Sequence, residues 1–275
     1  MPDGHIGTRT GGFGILRPMP DELPPGLERF LDWLPTAEPL GGVEPMLLQY
    51  RAWLEAKGAS EEASGTAIAE VMRFMHERRE AWGPLFDRIY RSPQPGFRTE
   101  ANALLVEAAS SQAPRRALDV CTGQGRNALW LASQGWEVTG FDVSPEGIAS
   151  ARRQADAEGL SARFVATSAD DFDYAARPWD LVAVLYAPVP IADPTYAGML
   201  AGVLAPGGLL VVESFASDAD APRRRPVDID PPALRSAVAG LEILRLDDIV
   251  DRPDWLDRPE RLVRMVARKP LPASG

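Results

Sequence analysis

The chain has 275 residues, a formal net charge of −10 and 45% hydrophobic residues, which suits one α/β domain with a helical extension. Its acidic balance argues against a nucleic-acid binder that tracks phosphates over a basic face, though a local basic patch stays open. Cys121 is the single cysteine, which excludes an internal disulfide; with neither an uninterrupted apolar span nor a leader-like segment, the expectation is a soluble cytoplasmic protein with no membrane partner.

Residues 1–45 are rich in proline and glycine yet carry Phe30, Leu31, Trp33 and Leu34. So many large apolar groups predict an irregular arm with one short helix packed on the body. Residues 46–95 read as a helical extension that caps a binding site. Met46, Leu47, Tyr50 and Leu54 recur at helical spacing before a C-cap at Gly58. Ser60 starts a second helix, with Ile68, Val71, Met72 and Met75 on its buried face. His76 lies on that helix as a candidate base, although a lone histidine in such a place more often serves structure or surface. Trp82, Phe86 and Tyr90 follow in a linking segment, and Thr99 is the expected cap of a helix over 99–112.

Residues 116–145 form a strand–turn–helix–strand unit. The apolar run Ala117, Leu118, Val120 leads to a turn at Gly123 and Gly125, and a second strand ends at Asp142. This layout is a nucleotide-binding crevice, and Gly123 to Ala128 also fits the Gly/Ala form of the dinucleotide fingerprint. Asp119 separates the two readings. A pyrophosphate needs positive potential before the helix, and a carboxylate opposes it. S-adenosylmethionine (SAM) carries a sulfonium and an ammonium and no phosphate, so Asp119, with Asp142 for the ribose hydroxyls, suits it. The plain alternative is that Asp119 caps a turn and Asp142 caps the helix starting near Pro145.

A helix is expected over Pro145–Glu158 with Gly159 past its end, and a third strand over Ala162–Thr167 leads into Ser168, Ala169, Asp170 and Asp171. Trp179–Tyr186 is an apolar run suited to a buried parallel strand, and Asp193–Leu204 is helical. A fifth strand delivers Glu213, Ser214 and Phe215 to the same rim. A polar loop with Arg223, Arg224 and Arg225 then reads either as a lid for an anionic acceptor or as solvated charge. Ala233–Val238 is a short helix, and Leu241–Leu246 and Leu262–Ala267 are closing strands around a candidate pocket wall, DRPDWLDRPER.

Leu118-Asp119, the run Gly123-Gln124-Gly125-Arg126-Asn127-Ala128, Leu131-Ala132, Gly135-Trp136 and Gly140-Phe141-Asp142-Val143-Ser144 together resemble class I SAM-dependent methyltransferases. The resemblance covers about residues 82–270, and its GQGRNA form is most similar to the branch that includes the tellurite-resistance methyltransferases. It implies a Rossmann-like, mostly parallel seven-stranded sheet with an antiparallel last strand in a domain over 96–270, preceded by the helical extension. It implies SAM as cofactor, with Tyr90, Asp119, Cys121, Gly123, Gly125, Asn127, Asp142, Val143, Ala169, Asp170, Asp171 and Tyr186 as its binding positions. Two positions depart from the family: Cys121 stands where glycine is usual, and Ser168 where an adenine-binding acid is usual. The expected reaction is methyl transfer to a small-molecule or peptide acceptor, with Tyr186, Glu213 and His76 as candidate bases and no metal. The rivals are a non-catalytic SAM- or partner-binding protein, an NAD(P)-dependent oxidoreductase, and a metalloid oxyanion as acceptor.

Overall fold

The structure, a computed structural model, describes residues 25–38, 43–77, 82–93, 95–217, 227–253 and 258–272, with the side chains of 76 and 77 outside that description. Four helices come first: α1 (Pro25–Trp33), α2 (Val43–Ala56), α3 (Glu61–Glu77) and α4 (Trp82–Tyr90). They are followed by α5 (Ala103–Ser110), β1 (Arg116–Val120), α6 (Arg126–Ser133), β2 (Glu137–Asp142), α7 (Pro145–Glu158), β3 (Ala162–Ala166) and β4 (Trp179–Leu185). The chain closes with α8 (Pro194–Val203), β5 (Leu204–Phe215), α9 (Pro231–Ala237), β6 (Glu242–Asp251) and β7 (Glu260–Arg268).

The strands form one sheet of seven in the order β3-β2-β1-β4-β5-β7-β6. β1 to β5 pair in parallel, while β7 runs antiparallel between β5 and β6. This is the expected mostly parallel sheet with its antiparallel end. Alternation along the strands divides the core in two. Ala117, Leu181 and Val211 face α5, α6 and α7, whereas Leu118, Val182 and Val212 face α8 and α9. Every residue of β4 is buried, as a central parallel strand covered on both faces requires.

Helix ends follow local chemistry. Ser144 caps α7 by accepting from the Gly147 amide at 3.0 Å, and Gly159 closes the helix at φ 65°. Asp193 and Asp230 cap α8 and α9, each ahead of a proline. The expected cap at Thr99 is corrected: Asn102 accepts from the Leu105 amide at 3.1 Å and α5 begins at Ala103. β6 also runs five residues beyond the expected Leu246 to Asp251. Its acids interrupt the apolar alternation, but Asp248 and Asp251 pair with Arg261 and Arg264 of β7 at 2.7 Å each, so charge pairs across the strands sustain the ladder.

The first four helices share a third core that includes Phe30, Trp33, Tyr50, Met75, Leu85 and Ile89. Tyr50 lies 5.0 Å from Phe30 and 4.9 Å from Trp33 between ring centres. One helix of this group, α4, also docks on the sheet domain. Asp87 accepts from the Ser144 hydroxyl at 2.5 Å and from the Glu146 amide at 3.2 Å, and Arg91 pairs with Glu146 at 3.0 Å. These charged groups hold the last turns of α4 across the N-terminus of α7.

Candidate functional site

After β1 the chain crosses to one face of the sheet as α6, and after β4 it crosses to the other as α8. The strand order therefore reverses between β1 and β4, which opens a crevice outside their carboxyl ends. Every part of the 116–145 unit converges there.

The loop from Cys121 to Gly125 is held from below by two acids. Asp119 accepts from the Thr122 hydroxyl at 2.5 Å, and the Thr122 amide donates to the Phe141 carbonyl at 2.8 Å. Asp142 accepts from the Gly123 amide at 2.8 Å through one oxygen and from the Ser144 amide at 2.9 Å through the other. Both acids are buried. Burial raises each carboxyl to about 6 against the opposing pull of these hydrogen bonds. A dinucleotide loop offers its amides to a pyrophosphate; in this loop the Gly123 amide already meets an anion, and a second anion lies beneath.

Tyr90 reaches over the loop from α4. A Cβ on Gly123 would run into its hydroxyl, and one on Gly147 would lie 3.1 Å from both its ring and the Gly123 carbonyl. The two glycines thus make the slot that the ring fills. Phe86 stacks on Tyr90 at 6.0 Å and Phe97 packs on it at 5.6 Å. Burial, and then the charge of Asp142, raise the Tyr90 phenol well above its ordinary range and keep it protonated. Val143 supports the same helix, since a Cβ on Gly83 would be 3.5 Å from its methyl group. Tyr90, Asp119, Cys121, Gly123, Gly125, Asp142 and Val143 are therefore brought together.

Asn127, also expected among the cofactor-binding positions, faces residues 98–102. Its side-chain oxygen accepts from the Asn102 amide at 2.9 Å. Beside it, Gln124 donates to the Arg98 carbonyl at 3.3 Å and Arg126 to the Glu100 carbonyl at 3.0 Å. Three polar side chains at the start of α6 thus strap residues 98–102 to the crevice and carry Phe97 onto Tyr90. Sequence reasoning missed Gln124, Arg126 and Asn102. The available signal was a polar run at a helix start facing an irregular segment that needs hydrogen-bond donors.

On the far side, Asp171 accepts from the Ser168 hydroxyl at 2.7 Å while its amide donates back to that oxygen at 3.2 Å. This closes a turn, so Asp171 has a structural task and Asp170 stays exposed on the rim. Ala169 is half-buried against the core, and Phe172 stacks on Phe141 with ring centres 4.2 Å apart.

Tyr186 and Glu213 meet beyond β4. Glu213, 2% exposed, accepts from Tyr186 at 2.8 Å and Asn102 at 2.9 Å on one oxygen. Its other oxygen accepts from Arg264 at 2.7 Å. Both oxygens of Glu213, a candidate base, thus have partners within the protein. His76 lies on α3, its side chain outside the described residues, as are Arg223, Arg224, Arg225 and residues 254–257. Among the described residues no group of three or more His, Cys, Asp or Glu could hold a metal ion, and no helix is long and apolar enough to cross a membrane.

The strand order, the switch-point crevice and the acid-flanked glycine loop define the Rossmann-like fold of class I methyltransferases. Residues 117–208, about a third of the chain, match the family model of the methyltransferase domain. The chain is 38% identical over 135 residues to the demethylmenaquinone methyltransferase of Thermus thermophilus, covering 48% of this chain and 61% of that one. Among solved structures, TehB from Haemophilus influenzae matches with a TM-score of 0.51 at 21% identity, over 60% of this chain and 61% of that one. The N-methyltransferase NodS from Bradyrhizobium japonicum, in complex with S-adenosylhomocysteine (SAH), matches with a TM-score of 0.54 at 21% identity, over 68% of this chain and 98% of that one. The chain spans at most about three fifths of the length of the curated relatives it matches.

Proposed function

We propose that the crevice binds SAM and that the protein transfers its methyl group to a small-molecule or peptide acceptor. The observation that carries this reading is Asp142, a buried carboxylate already bound to the amide of Gly123. With Asp119 it gives the loop a negative floor, which favours a cation and opposes a pyrophosphate. The donor set fits: Asp142 for the ribose hydroxyls, Asp119 for the charge of the methionine end, and Ala169 and Asp170 on the adenine side. When bound, SAM supplies a methyl group that its sulfonium already makes electrophilic.

The protein's contribution is then alignment and exclusion of water. Tyr90, wedged between Gly123 and Gly147 and backed by Phe86 and Phe97, covers the loop. Fixing the reacting groups in line supplies up to about 7–11 kcal/mol. The packing of α4 on α7 supports the role of residues 46–95 as a cap, and the name of the Thermus relative, demethylmenaquinone methyltransferase, supports a small-molecule acceptor. Equilibrium dialysis with labelled SAM and with NADH tests the cofactor. SAM is expected to bind at least about a hundredfold more tightly, the equivalent of about 2.7 kcal/mol; tighter binding of NADH would overturn the reading.

The raised carboxyls give a pH dependence. A carboxyl shifted upward in the fold binds protons there that the unfolded chain releases, so the free protein loses stability as pH rises from about 4 to about 6 and is level above. Ribose hydroxyls donate to the ionised form of Asp142. SAH affinity is therefore expected to rise about tenfold between pH 5 and pH 7 and then level off, for one proton released near pH 6. Calorimetry in two buffers of different ionisation enthalpy measures that proton directly; its absence at pH 6 would count against Asp142 as the ribose ligand.

A further inference from the structure

Helix α4 packs on two partners through two faces. Trp82, Leu85 and Ile89, three and four residues apart, are buried in the core of the first four helices. Gly83, Asp87 and Tyr90 repeat such spacing on a second face, and that face meets the crevice. Gly83 lies against Val143, Asp87 binds Ser144 and Glu146, and the Tyr90 ring lies against Gly123 and Gly147. One short helix thus joins the N-terminal core to the segment that carries Asp142.

Asp87 supplies the hydrogen bonds at the centre of this face, and both end on one oxygen. Its Oδ1 accepts from the Ser144 hydroxyl at 2.5 Å and from the Glu146 amide at 3.2 Å, where the start of α7 favours an acid. With its proton given to Asp87, the Ser144 oxygen is turned to accept from the Gly147 amide at 3.0 Å. The Ser144 amide donates to Asp142 at 2.9 Å. Ser144 is fully buried, and a buried hydroxyl that loses its acceptor carries a desolvation cost. A single residue therefore separates Asp87 from the acid on the crevice floor.

We infer that Asp87 is a positioning residue: by fixing Ser144 from α4 it sets Asp142 for the cofactor's ribose, and it makes tight cofactor binding depend on α4 being docked. This rests on the SAM reading above and adds a link between the helical cap and the cofactor. Molecules with α4 undocked bind poorly, so the apparent affinity falls with the docked fraction. The two acids are also linked by charge. Burial raises the Asp142 carboxyl to about 6, the Ser144 and Gly123 amides oppose that rise, and the charge of Asp87 adds to it. Also around this acid are Tyr90 of α4, Asp119 of β1, Cys121 of the loop and Arg126 of α6, with the Arg91–Glu146 pair between α4 and α7.

The test measures SAH binding to the full chain from pH 5 to pH 8, in wild type and two variants. Asp87→Ala removes the acceptor and is expected to weaken binding at pH 8 by at least about tenfold, as loss of a hydrogen bond to a charged group allows. Asp87→Asn keeps Oδ1 for Ser144 and Glu146 and removes the charge. It should hold SAH within about twofold of wild type at pH 8 and at least about twofold more tightly at pH 5, because the rise in affinity moves to lower pH. A merely structural role would alter the melting temperature and leave the pH of that rise in place. By reciprocity, SAH should slow hydrogen exchange of the α4 amides in wild type by about tenfold or more. The inference is overturned by wild-type affinity in Asp87→Ala, by an Asp87→Asn variant that fails to restore binding or keeps the wild-type pH profile, or by α4 exchange that SAH leaves unchanged. If Asp87→Ala does not fold, the pH profile of Asp87→Asn still decides. A wild type that binds no SAH, or binds it with no rise between pH 5 and pH 7, overturns the cofactor reading itself, and this is seen before any variant is compared.

Discussion

Replacing Asp142 by alanine should weaken SAH binding by at least about a hundredfold. Two hydrogen bonds from ribose hydroxyls to a charged acceptor are worth about 1.5–3 kcal/mol each, and the sum exceeds the 2.7 kcal/mol that a hundredfold represents. The substitution has a second consequence, because Asp142 also accepts the Gly123 and Ser144 amides. Alanine leaves both donors without their acceptor, at about 1–3 kcal/mol for each that water does not reach. A lower melting temperature is therefore expected together with the lost affinity. Asp119→Asn separates the two effects. It keeps an oxygen for the Thr122 hydroxyl but removes the charge and the acceptor for the Ala128 amide, so it should cost some stability while weakening binding of cationic SAM more than of SAH. Calorimetric titration of both ligands against both variants measures this. Unchanged affinity in Asp142→Ala would show that the crevice is not the cofactor site.

That crevice was legible because its parts are local in the sequence. Ala117 to Asp142 contains two strands, a helix and the turn between them, and the glycines and acids that shape the loop lie within twenty-six residues. The burial of β4 was equally plain, since a central parallel strand shows as an unbroken apolar run. The strap was not legible. Asn102 meets Glu213 across 111 positions and Arg126 meets the Glu100 carbonyl across 26, and no periodicity reports a side chain that bonds a distant backbone. The cap fell on Thr99 for the same reason: Thr99 and Asn102 are both good caps, and the choice depends on where Gln124 and Arg126 hold the chain between them. Tyr186 was legible as the residue that ends the apolar run of β4, but its left-handed backbone at φ 54° was not, because nothing in a tyrosine's neighbours announces that its amide will meet the Glu213 carbonyl.

The last expected result concerns how closely α6 and α7 approach. Gly125 is the N-cap of α6 at φ 87°. A Cβ there would lie 2.8 Å from the Ala151 Cβ, 3.3 Å from the Phe164 ring and 3.4 Å from the Ala151 Cα. Ala151 and Phe164 are buried in the core beneath the loop, and neither can rotate away as the end of a long side chain could. Gly125→Ala should therefore combine the left-handed strain of about 1–2 kcal/mol with an overpacking cost of about 1–3 kcal/mol. For a chain of this size each kcal/mol lowers the melting temperature by about 2–4 °C. Gly159 supplies the control. It is also left-handed, at φ 65°, but a Cβ there meets nothing within 4 Å, so Gly159→Ala should carry the backbone strain alone. Urea denaturation of the two variants measures the difference. A larger loss in Gly125→Ala identifies helix approach as the reason for that glycine, because the shift of α6 needed to admit a methyl group would also move the loop that Asp119 and Asp142 hold. Equal losses would mean that the turn alone requires it.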